Sequence, residues 1–323
     1  MKKIAILVLS EPDEPQVAML DELRAAAEVV IGNAAQVFED RAAEAEVIFN
    51  WSGSLSLLRE VFLMSPRLRW IHTRSAGVER TLFAELVASD VTLTNGSGVF
   101  SPSLGEFVLA AILYFAKDFR RMIRNQMAGL WEPFDVLPVA GQTVGIVGYG
   151  DIGRAVAARV KAMGMRVLAL KRHVSTKDNP DPLVDQIFDS NRRSEVLRQC
   201  DYIVVAAPLN DETRGLVGQS EFAVMKETAV VINVGRGPVI DEGAMVKALS
   251  ERRVKGAALD VFDEEPLPSG HPFYTLENVL LSPHCADHTP DWLDNAMRFF
   301  LGQFERYRRG DPLLNIVDKQ LGY

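Results

Sequence analysis

Cysteine is scarce in this chain: Cys200 and Cys285 are the only two among 323 residues, and they form no CxxC pair. That excludes a disulfide framework and a Cys-based structural zinc site, and it fits a reducing compartment. No metal is expected. Long apolar runs are missing too, so no segment reads as a membrane span. After Met1, Lys2 and Lys3 an apolar stretch from Ile4 to Leu9 soon meets Glu11, Pro12, Asp13 and Glu14. It reads as a buried first strand rather than a leader, and a cytoplasmic protein is expected. Dense basic clusters are also lacking. Net charge is -8, and small groups such as Arg120-Arg121 with Arg124, or Arg306 with Arg308-Arg309, read as solvated helix faces or ends. Binding a duplex needs clustered Lys and Arg to neutralise phosphates, so no nucleic-acid partner is expected.

What the chain does have is a globular balance, 48% hydrophobic and 24% charged residues, in a length that suits two ordinary domains. Short β-branched runs alternate with helical patterns, the signature of α/β architecture. In the first third, residues 2–9, 47–50, 70–73 and 91–95 read as strands, with helices between them, one around 15–26. A long apolar-periodic helix is expected from 102 to about 127, with Ser101 as N-cap and Pro102 in the first turn. A Pro/Gly-rich loop over 129–141 follows. Six further strands, at 143–148, 166–170, 201–206, 229–234, 256–261 and 278–282, match a doubly wound parallel sheet. The tail over 289–310 reads as an amphipathic helix capped by Thr289, with Trp292, Phe299, Phe300 and Phe304 on its apolar face.

The strand at 143–148 runs straight into Gly148-Tyr149-Gly150-Asp151-Ile152-Gly153, and a helix follows. Glycines there allow a tight turn, close backbone approach to a pyrophosphate and close helix–strand packing. The helix N-terminus offers N–H groups and a positive dipole end to the phosphates. A dinucleotide site is therefore expected. The next strand ends in Lys171-Arg172-His173, with no carboxylate to accept bonds from a ribose diol. Lys171 and Arg172 suit a 2′-phosphate instead, so NADP is favoured over NAD. Because this motif lies mid-chain, a dinucleotide domain over 99–285 is expected to be inserted into a second α/β domain made from 1–98 and 286–323.

Several downstream segments carry a resemblance: Asn233-Val-Gly-Arg236-Gly237, Leu259-Asp260-Val-Phe-Asp-Glu-Glu265-Pro266 and Ser282-Pro-His284. Ser101-Pro-Ser-Leu-Gly-Glu106, Pro208-Leu-Asn-Asp-Glu-Thr213 and Arg74-Ser75-Ala76-Gly77-Val-Glu79 add to it. In this order they are similar to the D-isomer-specific 2-hydroxyacid dehydrogenases across nearly the whole chain. The resemblance implies a Rossmann doubly wound parallel sheet inserted into a flavodoxin-like substrate domain. It implies NAD(P)-dependent reduction of a small 2-oxo acid to the D-2-hydroxy acid, and the reverse, by a homodimer with Trp131 in the region of dimer contacts.

By motif, Arg236, Glu265 and His284 are the implied catalytic residues. A guanidinium fork can bind a carboxylate and an adjacent carbonyl together. Imidazole suits the proton that the new alkoxide needs. Glu265 would hold the other ring nitrogen and fix the tautomer. Pro208, Thr213, Val234 and Asp260 are carried over as cofactor contacts, Asp260 toward the nicotinamide carboxamide. Ser75, Ala76 and Gly77 match a loop whose N–H groups receive the substrate carboxylate, joined there by Arg236 and His284. The chain departs from many relatives at Cys285-Ala286-Asp287-His288, at Ala206 and at Phe107. His288 ranks second to His284 as a base, and His72 reads as a core or hinge-facing residue. The leading expectation is an NADPH-dependent glyoxylate/hydroxypyruvate reductase. A dehydrogenase for a bulkier acid and a dinucleotide-sensing corepressor remain as alternatives.

Overall fold

The computed structural model describes residues 3–172, 174 and 181–323. The chain forms two compact units, Met1–Phe100 with Thr289–Tyr323, and Ser101–His288. In the first unit five parallel strands, β1 (Ile4–Leu9), β2 (Ala27–Gly32), β3 (Val47–Asn50), β4 (Trp70–Thr73) and β5 (Thr92–Thr94), lie in the order β2-β1-β3-β4-β5. This is the flavodoxin-like order, in which ligands collect at the carboxyl ends of the strands. Strand β2 was not expected. It is an edge strand, and Val29, Val30 and Ile31 are only partly covered, so alternation is blurred. Residues Pro15–Leu23 form a 3-10 helix, opened by Pro15, rather than an α-helix.

Aromatic packing anchors the C-terminal helix Trp292–Arg309 to this sheet. The Phe300 ring stacks 3.9 Å from Phe49 and 5.6 Å from Trp70. The helix begins at Trp292 rather than at Thr289, whose hydroxyl bonds Asp291 at 2.9 Å. His72 is a buried core residue with Nδ1 2.8 Å from Thr94 Oγ1, and burial pushes its pKa down to about 3.

The second unit holds a seven-stranded parallel sheet: β6 (Thr143–Val147), β7 (Arg166–Lys171), β8 (Gln186–Asp189), β9 (Tyr202–Val205), β10 (Val230–Asn233), β11 (Gly256–Leu259) and β12 (Val279–Leu281). Its order is β12-β11-β10-β9-β6-β7-β8, a doubly wound sheet whose order reverses around β6, where Gly148 follows. Crevices at such switch points bind dinucleotides. The inner strands read correctly because both faces are covered, which makes them continuous apolar runs. Strand β8 was missed. It is the other edge, with only Phe188 buried.

The long helix expected over 102–127 is two helices, Ser101–Lys117 and Phe119–Ala128, and Ser101 is its first residue rather than its cap. Asp118 separates them in the left-handed region at φ 52°, and its side chain accepts a bond from Arg121 N. Asp tolerates that conformation and caps the following turn, so the break satisfies donors that a straight helix would have paired. Among the described residues no helix is long and apolar enough to cross a membrane.

Candidate active site

The phosphate-loop glycines have separate reasons. Gly148 takes φ 93°, and a Cβ there would come within 2.5 Å of Ala207 N, so only glycine lets the loop turn this close to the neighbouring strand end. Gly150 precedes the helix Asp151–Ala162 with no side-chain cap, and a Cβ on it would enter open space. An uncapped helix start beside open space fits a pyrophosphate. Tyr149 is turned inward and donates to Asp181 Oδ2 at 2.9 Å. Ile152 and Gly153 lie in the first turn of the helix.

At the end of β7, Lys171 pairs in register with Asp189 of β8, and Arg172 is ion-paired with Glu212. His173 lies outside the described residues. Val234 is buried, its N–H bonded to Val205 O. The Thr213 hydroxyl donates to Pro208 O at 2.6 Å, so it shapes the Pro208 loop.

The implied triad is built from three turns in the same unit. Asn233, the last residue of β10, accepts from Gly235 N at 3.1 Å and donates to Arg236 O at 3.0 Å. It thereby fixes the turn that projects Arg236. A Cβ on Gly237 would lie 2.0 Å from the carbonyl carbon of Phe262, so this turn packs directly on the next one. There Phe262 N donates to Glu265 Oε1 at 3.0 Å, and Glu265 Oε2 stands 2.7 Å from His284 Nδ1. A carboxylate can only accept, so it selects the Nδ1–H tautomer and leaves Nε2 to exchange a proton.

His284 itself sits at φ 52°, a costly conformation for a residue with a Cβ. Asp260 holds it there. Its Oδ1 accepts from Ser282 Oγ at 2.5 Å, Cys285 N at 3.0 Å and Ala286 N at 3.1 Å. Burial raises the Asp260 pKa, and these bonds oppose that rise. His288 Nε2 lies 3.8 Å from Asp287 Oδ1. Among the described residues no His, Cys, Asp and Glu group could hold a metal.

In the other unit, β4 gives way to Arg74 and then Ser75-Ala76-Gly77. The N–H groups of Ser75, Ala76 and Gly77 make no hydrogen bond among the described residues, whereas Ser75 O and Ala76 O are bonded by Gly96 N and Asn95 Nδ2. The loop is held by its carbonyls with its donors available, an arrangement suited to an anion.

A family model for the D-isomer specific 2-hydroxyacid dehydrogenase, NAD binding domain, matches residues 109–286. The chain belongs to this family. As a family member it is an NAD(P)-dependent oxidoreductase acting on 2-hydroxy acids. The glyoxylate reductase of Aeropyrum pernix is 36% identical over 276 residues, covering 81% of this chain and 80% of that protein. The D-3-phosphoglycerate dehydrogenase of Methanocaldococcus jannaschii is 28% identical over 98% of this chain, which spans 59% of that longer protein.

Two crystal structures share the fold over 100% of both chains. A D-isomer specific 2-hydroxyacid dehydrogenase from Xanthobacter autotrophicus Py2, in complex with NADPH and MES, has a TM-score of 0.85 at 30% identity. The NADPH-dependent glyoxylate/hydroxypyruvate reductase of Sinorhizobium meliloti, in complex with NADP and sulfate, has 0.83 at 25%.

Motif reasoning named Arg236, Glu265 and His284 as candidates but not the contacts that hold their turns. Asn233 and Gly237 stood inside the quoted motif, and their local hydrogen bond and close approach were readable only in three dimensions. Asp260 was assigned to the cofactor alone, although one of its oxygens organises the His284 turn. Trp51 reads from sequence as either a pocket-shaping or a core residue, and its meeting with Arg74 and Trp292 is visible only in three dimensions because the three are distant in sequence.

Proposed function

We propose that this dehydrogenase reduces a small 2-oxo acid to the D-2-hydroxy acid with NADPH as the favoured cofactor, glyoxylate and hydroxypyruvate being the leading substrates. The observation that carries the reading is the Glu265–His284 contact of 2.7 Å, on a turn packed against that of Arg236. A reduced dinucleotide held there would supply the hydride that C2 requires. Arg236 binds the carboxylate and polarises the carbonyl, and His284 Nε2 delivers the proton to the oxygen. In the reverse direction His284 takes that proton. Glu265 orients the ring through its contact with Nδ1. The N–H groups of Ser75, Ala76 and Gly77 donate to a substrate carboxylate oxygen.

Gly148–Gly153, Pro208, Thr213 and Val234 would hold the dinucleotide, with Asp260 toward its carboxamide. The test is reduced-nicotinamide oxidation followed with NADPH and NADH against glyoxylate, hydroxypyruvate, pyruvate and phenylpyruvate. Turnover of any acid supports the reaction. Tight dinucleotide binding with no turnover would replace it by a sensing role.

NADP preference is assigned to Lys171 and Arg172, supported by the NADPH and NADP complexes of the two structural relatives. A 2′-phosphate would compete with Glu212 for the Arg172 guanidinium. Changing Lys171→Asp with Arg172→Ser is expected to shift the NADPH-to-NADH ratio of kcat/KM toward NADH by about 10-fold or more, the scale of one charge-assisted bond. An unchanged ratio refutes the assignment.

A homodimer is the proposed assembly. Helix Phe119–Ala128 and the following loop present Met127 and Trp131 at 85% and 96% exposure, with Ile123 and Leu130 beside them in sequence. Such an apolar surface fits burial against a second copy. Trp131→Glu is expected to halve the mass seen by light scattering; a wild-type monomer refutes the assembly.

A further inference from the structure

Arg74 occupies an unusual place in the first unit. Its guanidinium carbon lies 4.8 Å from the Trp51 ring centroid and 5.5 Å from that of Trp292. Among the described residues it makes no ion pair, and Glu14 attracts it only through space. Desolvation lowers its pKa, the mark of a cation withdrawn from water without full compensation. Contact with aromatic faces satisfies the face of a guanidinium but leaves the N–H donors along its edge for an anion.

The surroundings point the same way. Arg74 N donates to Asn50 O, which places Arg74 and the Asn50-Trp51 pair together at the carboxyl ends of β4 and β3. Trp51 is 2% exposed, and its Nε1–H has no hydrogen-bond partner. Asn50 is fully buried, and neither polar atom of its side chain has a partner. A buried donor left without a partner is costly, so donors left open at the carboxyl ends of these strands call for a ligand.

From this juxtaposition we infer that Arg74, backed by Trp51 and Trp292, forms an anion subsite for a second negative group on the substrate, separate from the carboxylate taken by the Ser75–Gly77 amides. The subsite then extends the substrate range beyond glyoxylate and hydroxypyruvate to 2-oxo acids bearing a further carboxylate or phosphate, favouring these over monoanions of the same size. This inference rests on the proposed reduction of 2-oxo acids. Arg74 acts as a specificity-determining residue: it recognises the distal group and takes no part in proton transfer.

The test compares 2-oxoglutarate with 5-methyl-2-oxohexanoate, which has nearly the same shape with an isopropyl group in place of the distal carboxylate. The wild type is expected to favour the dianion by about 10-fold or more in kcat/KM, and Arg74→Met to abolish that preference while altering the monoanion by less than about 3-fold. Arg74→Lys is expected to retain part of it, a control for folding.

A third arm, 3-phosphohydroxypyruvate, distinguishes phosphate from carboxylate as the group preferred. Parallel losses on both acids, or a wild type indifferent to the distal charge, overturn the subsite. Quenching of tryptophan fluorescence by 2-oxoglutarate, present in wild type and lost in Arg74→Met, reads the subsite without turnover. If no acid is reduced but this quenching holds, the proposed reaction falls and the anion subsite stands; absence of quenching overturns the subsite.

Discussion

Arg236→Met is expected to lower kcat/KM by about 10³-fold, the scale seen when one preorganised electrostatic donor is removed from a reacting oxygen. The turn should survive the change. It is held through the backbone, by Asn233 on Arg236 O and Gly235 N and by the close approach of Gly237 to Phe262. The guanidinium itself donates from Nη1 to Gly235 O at 2.8 Å. Dinucleotide binding is therefore expected to remain near wild type, which separates a chemical defect from a folding defect. Arg236→Lys should recover little, because an ammonium keeps the charge but not the planar fork that spans carboxylate and carbonyl. Near-normal turnover in either variant would remove Arg236 from the mechanism.

His284→Asn is expected to cost about 10²–10⁴-fold in kcat, the usual range for a lost general acid or base. Glu265→Gln should cost less, since it weakens the orientation of the ring and leaves the imidazole in place. The decisive measurement is the double variant. If Glu265 acts through His284, adding Glu265→Gln to His284→Asn produces almost no further loss, because the contact it supports is already gone. Losses that multiply would mean that Glu265 has a separate role. Melting temperatures should accompany these rates, because Glu265 also caps Phe262 N.

The site and fold were legible to different depths. The inner strands of the doubly wound sheet and the glycine turn after β6 could be read directly, each for a local reason, whereas the candidate triad came from the resemblance of its motifs. Strands covered on both faces must be apolar throughout, and a phosphate loop must contain glycine where a Cβ would strike Ala207. Edge strands β2 and β8 were illegible because one side of each is partly wetted, which erases the pattern. The break at Asp118 was hidden as well, because its neighbours on both sides carry good helical sequence and only the packed chain reveals the left-handed residue.

Sequence alone thus determined the architecture and the dinucleotide turn, since these depend on residue type within short segments, and its family motifs nominated Arg236, Glu265 and His284 as catalytic candidates. Tertiary structure decided the rest. Asp260 and the His284 turn meet because β11 and β12 are parallel neighbours, which lets one carboxylate oxygen collect three donors from the turn after β12. Arg74 meets Trp51 and Trp292 because β3 pairs with β4 and the C-terminal helix packs its aromatic face on that sheet. No local pattern encodes such meetings: they are set by the burial of apolar faces that bring distant segments together, and the polar groups carried along find partners only then.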